Sequence, residues 1–178
     1  MDCIIVDLEA TCWEHGSDIS EMEIIEIGAV RLSGRELFVS AEFSRFVRPT
    51  QHPILSEFCK QLTTIPQWRI DQADPFPFVF SEFLDWIGDG EYTLCSWGNY
   101  DLRQFRAECD RYGIQFPTNF TNHINIKREF SRLHKTKECG MKSALQLAGL
   151  PLHGVHHRGI DDARNIAILA RLVLPFMK

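Results

Sequence analysis

The chain has 178 residues, 44% of them hydrophobic and 24% charged, with a formal charge of −5. That length and composition suit one globular domain over residues 1–178. No run reaches the roughly 18 apolar residues of a membrane span, and the negative balance argues against bulk electrostatic binding of DNA.

Met1 and Asp2 lead directly into an apolar run, with no basic segment before it, so no signal peptide is expected. The six cysteines contain no C-x-x-C pair, which disfavours zinc and suggests reduced thiols in an intracellular, cytoplasmic protein. Residues 3–8 read as a first strand and "IIEIGAVRL" (24–32) as a second. "SGRE" (33–36) then turns a hairpin into a third strand at about 37–47. "RPTQHPILS" is turn chemistry, and Ser56 caps a short helix, "EFCKQL".

Phe76, Phe80, Phe83, Leu84 and Ile87 recur at helical spacing, predicting an amphipathic helix over 76–88 closed by Gly88. "YTLCSW" (92–97) reads as a buried fourth strand. Asp101 then opens a helix whose apolar stripe is Leu102, Phe105, Cys109 and Tyr112, ending at Gly113. "INIKREFSRLH" and "MKSALQLAGL" suggest two further helices. A last helix runs from about Asp161 to Val173 on Ala163, Ile166, Ala167 and Ala170. Strands followed by alternating helix and strand predict an α/β layer fold with a mixed sheet.

Within the first strand, "IIVDLEATC" carries two acids two residues apart. Side chains at i and i+2 share a face, so Asp7 and Glu9 point one way while Ile4, Val6 and Leu8 point the other. Burying unpaired carboxylates side by side is costly. A hard divalent cation offsets that cost, whereas two solvated acids on an edge strand would not incur it. Asp101 follows the fourth strand, at the strand ends where open α/β folds place their sites. "VHHRGIDDARN" adds a histidine five residues before an aspartate at a helix start, and imidazole is a natural general base near neutral pH. Four acids and a histidine could thus form a two-metal site for in-line attack on a phosphodiester. Between Lys127 and Lys142, six Lys/Arg face only Glu129 and Glu138, a local anion contact or a solvated face.

"VDLEATC", "GNYDLRQF" and "HRGIDDARNIA" resemble the three motifs of the DEDDh 3′→5′ exonucleases. The resemblance spans the whole chain. It implies a ribonuclease H-like fold, a mixed five-stranded sheet flanked by helices, that releases nucleoside 5′-monophosphates using two Mg²⁺ or Mn²⁺ ions. "DLEATC" with "HPILSEFCKQLTTI" is similar to the branch that trims 3′ ends of histone mRNA, small interfering RNA and ribosomal RNA. RNA with a single-stranded 3′ end or short overhang is the substrate this implies. A DNA-directed exonuclease, an oligoribonuclease and a nucleic-acid-binding regulatory module remain as alternatives.

Carried onto this sequence, Asp7, Glu9, Asp101 and Asp162 would hold metal, and His157 would take the proton. Backbone groups at Ala10 and Thr11, with Glu9, would contact the 3′-terminal nucleotide, and Phe58 and Tyr100 would stack or wedge around its base. The doubled "HHRGIDD" lets His156–Asp161 and His157–Asp162 satisfy one spacing. The small residue and "NIA" after Asp162 favour the second pair.

Overall fold

The computed structural model describes residues 2–177. Strand β1 (Asp2–Ala10) lies antiparallel to β2 (Ile24–Ser33), which turns through residues 34–37 into antiparallel β3 (Phe38–Phe46). On its other edge β1 pairs in parallel with β4 (Tyr92–Ser96), and β4 pairs in parallel with β5 (His123–Asn125). The sheet order is β3-β2-β1-β4-β5, a mixed five-stranded sheet as the resemblance implies.

Helices α1 (Glu57–Thr63), α2 (Gln67–Asp71) and α3 (Phe76–Ile87) lie between β3 and β4, and α4 (Tyr100–Tyr112) lies between β4 and β5. Helices α5 (Ile126–His134), α6 (Met141–Leu147) and α7 (Gly159–Val173) follow β5. Ser56 caps α1 as expected, its hydroxyl accepting from Cys59 N–H at 3.0 Å. None of the described helices is long and apolar enough to cross a membrane.

Strand parity divides the core. Ile4, Val6 and Leu8 join Ile27, Ala29 and Leu94 beneath the aromatic side chains of α3 and α4, including Phe76, Phe80, Phe83 and Phe105. Each of the buried valine, leucine, isoleucine and phenylalanine side chains contributes about 1.5–3 kcal/mol. Cys3 and Ile5 occupy the opposite face with Val30 and Leu32, against α5, α6 and α7. Asp7 and Glu9 continue that second face, where their β2 partners are Gly28 and Glu26. Gly28 is required there: a Cβ would sit 2.0 Å from the Gly159 carbonyl carbon. The first turn of α7 is thereby pressed onto the strand pair beside the two acids.

Three elements depart from the sequence reading. Strand β5 occupies residues expected to begin a helix. Ile124 pairs with Cys95, and Asn125 ends the strand by capping α5 through a 3.0 Å bond from Arg128 N–H. Three residues are too few to display the alternation that marks a strand. The sequence pattern gives no sign of the single-turn α2, and α7 begins two residues before Asp161, at Gly159.

Candidate active site

The carboxyl ends of the parallel strands β1 and β4 meet the start of α7, and a cavity of about 580 Å³ opens there. Its walls include Asp7, Glu9, Asp101, Asp162, His156 and His157. Volumes of roughly 300–1,000 Å³ are typical of small-ligand sites. Asp7 and Glu9 arrive from the strand by parity. Asp101, in the first turn of α4, is 4% exposed and accepts Leu8 N–H at 3.0 Å, tying that helix to β1.

Asp162 is also 4% exposed and accepts His157 N–H at 2.9 Å. His156 Nδ1 donates to the same carboxylate, 3.1 and 2.9 Å from its two oxygens. One ligand atom from each of Asp7, Glu9 and Asp162 lies within 4.8 Å of the others. Asp161 is occupied elsewhere: it accepts Val155 N–H at 2.9 Å and pairs with Arg164 at 3.0 Å. Of the two aspartates that satisfied the motif spacing, Asp162 is the one in the cavity.

Both histidines line the cavity, their rings stacked 4.0 Å apart. His157 adopts φ of 65°, a left-handed conformation costing a non-glycine residue about 1–2 kcal/mol. Asn165 steadies the approach to this turn, accepting His153 N–H at 3.0 Å and donating to the His153 carbonyl at 2.7 Å.

The electrostatics are those of crowded acids. Burial holds the Asp7 carboxyl well above the ordinary range, and the charges of Asp101, Glu9, Asp162 and Glu26 push it further. Glu9 is raised in the same way, by burial and then by Asp162, Glu26 and Asp101. Asp101 is pushed up to about 6 by burial, against hydrogen bonds from Leu8 and its own backbone N–H and from Ser96. Burial raises Asp162 too, partly countered by His157 N–H and by His156. His157 moves below the ordinary histidine value, through burial first and the His156 charge second.

The residues expected around a terminal base are distributed less simply. Ala10 and Tyr100 line the cavity; Phe58 does not. Phe58 sits one turn before Leu62 on the same face of α1, and Leu62 is the side chain that reaches the cavity. Thr11 is buried outside the cavity, its backbone N–H donating to the Glu23 carbonyl at 2.8 Å and its Oγ1 accepting Glu23 N–H at 2.9 Å. Met22 and Trp97, to which no sequence motif points, also line the cavity, as does Lys142. Of the basic segment, Lys142 alone does so. Arg128 and Arg132 pair with Glu129, and Lys127 stands 4.0 Å from Glu138.

Residues 4–170 match the family described as Exonuclease. The mouse protein named ERI1 exoribonuclease 2 is 36% identical over 94% of this chain, which spans 28% of that relative's length. Human 3′-5′ exoribonuclease 1 is 33% identical over 93% of this chain and is half spanned by it, at 50%. Among solved structures, the nuclease domain of 3′hExo, described as a DEDDh family member bound to rAMP, superposes with a TM-score of 0.91. It is 31% identical and covers 97% of this chain, which spans 91% of that domain. E. coli ExoI in a complex with single-stranded DNA shares the fold alone, with a TM-score of 0.75 at 11% identity.

Proposed function

Because this chain belongs to the exonuclease family, we propose that it removes nucleotides from the 3′ end of RNA by hydrolysis, releasing nucleoside 5′-monophosphates. The observation that carries this reading is the convergence of Asp7, Glu9 and Asp162 in one cavity with Asp101 and a histidine pair. Relatives named as 3′-5′ exoribonucleases, and a solved relative bound to rAMP, support RNA over DNA.

The donor set fits a hard divalent cation. All its members are carboxylates, and among the described residues neither Asp7 nor Glu9 accepts a hydrogen bond at its carboxylate. Asp7, Glu9 and Asp162 would hold one Mg²⁺ or Mn²⁺. Asp7, supported by Asp101, would share a second. Bound there, the ions supply positive charge that offsets the acids, polarises the phosphate and acidifies water.

The protein's own groups do the rest. His157, held below the usual histidine value, is neutral at pH 7 and can accept a proton at a ring nitrogen. His156 keeps Asp162 oriented through its Nδ1 bond. Leu62, Met22 and Tyr100 offer an apolar wall for the terminal base. Backbone groups at Glu9 and Ala10 lie beside it, where a terminal ribose 2′-hydroxyl can be read.

Matched RNA and DNA strands labelled at either end test the reading. Loss of 3′ label before 5′ label, faster on RNA, is expected. Preference for DNA would transfer the assignment to a DNA-directed exonuclease.

A further inference from the structure

Glu26 lies in β2 directly opposite Glu9 and is fully buried. It is a fifth carboxylate in a region that already crowds four. Its oxygens are committed elsewhere, however. Oε2 accepts Arg158 Nε–H at 3.1 Å and Gly159 N–H at 3.1 Å, while Oε1 accepts Arg158 Nη2–H at 3.3 Å. Arg158 is the N-cap of α7, and its own side chain makes no capping bond. The acceptor for the first N–H of that helix therefore comes from a neighbouring strand, 133 residues earlier in the chain.

Two residues farther along β2, the backbone of Gly28 lies against that of Gly159. β2 thus fixes the start of α7 twice, once by backbone contact and once through Glu26. The segment fixed in this way carries His157 immediately before Arg158 and Asp162 one turn into the helix. β1, paired residue for residue with β2, carries Asp7 and Glu9.

We propose that Glu26 is a positioning residue for the hydrolytic site: it anchors the Arg158–Gly159 junction so that Asp162 and His157 meet Asp7 and Glu9, and it keeps the Arg158 cation off the metal carboxylates. The proposal rests on the metal-site reading above. After Glu26, the carboxylates whose charges act on Arg158 are Asp161 and Glu9. A guanidinium drawn to Glu9 would compete with a divalent ion for the same oxygens.

The test is Mn²⁺ calorimetry without substrate, run alongside steady-state kinetics on RNA. Glu26→Gln keeps the shape and can still accept Gly159 N–H, but it cannot neutralise Arg158. It should weaken Mn²⁺ binding and lower kcat by roughly 10–100-fold, the usual effect of losing a residue that orients metal ligands. KM for RNA should change little, which a general loss of folded protein combined with a damaged substrate site would not give. Adding Arg158→Gln removes the unpaired cation, so this double variant should recover most of the Mn²⁺ affinity. Wild-type affinity and turnover in Glu26→Gln would overturn the proposal, as would a double variant that binds Mn²⁺ as weakly as the single. Asp7→Asn is measured in parallel: undiminished Mn²⁺ binding there would bring down the metal reading itself, a separate result.

Discussion

His156 Nδ1 lies 2.9 Å from Asp162 Oδ2, the oxygen that also accepts the backbone N–H of His157. Adjacent histidines therefore reach one carboxylate by different means, one through its ring and one through its main chain. The His157 ring is left without that tie and lines the cavity.

Substituting the two histidines should separate their roles. His157→Ala is expected to lower kcat by about 10²–10⁴-fold, the usual worth of general acid–base catalysis, and to flatten the acid limb of the pH–rate profile. His156→Ala should keep the limb and raise the metal concentration needed for half-maximal rate. Profiles with the behaviour exchanged would assign proton transfer to His156.

Stability without metal should depend on pH in a defined direction. Asp7, Glu9, Asp162 and Asp101 all have folded-state pKa values above the ordinary carboxylate range, Asp101 at about 6. A raised acid contributes its stability below its unfolded value of ~4 and loses it as pH rises through the folded value. Melting in EDTA should therefore fall as pH rises from ~4 through 6, and added Mn²⁺ should restore it above that window. A melting temperature that climbs with pH in EDTA would show that the acids are not destabilising one another.

Strand parity and motif spacing made much of the site legible in the sequence. Asp7 and Glu9 follow from the period of a strand, and Asp162 from the residues after it. What could not be read lies across long separations. Leu62 reaches the cavity in place of Phe58 because of how α1 docks, and no local pattern encodes docking. Glu26 interrupts an apolar run as Asp7 and Glu9 do, but its partner Arg158 is 132 residues away. β5 is too short to show a period. The basic segment reads as a unit in the sequence, yet Lys142 is its one residue at the cavity, and Lys127, Arg128 and Arg132 face Glu138 and Glu129 instead.

That last distinction predicts which charge grips the nucleic acid. Lys142→Gln should raise KM and reduce the slope of log KM against log salt by about 0.7, the share of one phosphate on a single strand. Arg128→Gln should leave the slope near the wild-type value, because Arg128 is already paired with Glu129. Equal slopes for Lys142→Gln and wild type would remove Lys142 from the substrate path.

Carboxylates gathered at the end of β1 should hold the metal on which 3′-end hydrolysis depends. Chromatographic detection of nucleoside 5′-monophosphates from single-stranded RNA, comparing wild type with Asp7→Asn at saturating Mn²⁺, tests it most directly. Wild type should release monophosphates and lose that activity in EDTA, while Asp7→Asn, folded by its melting curve, should release none. Monophosphate release by Asp7→Asn at the wild-type rate, or by wild type in excess EDTA, would show that hydrolysis does not depend on a metal held by these acids.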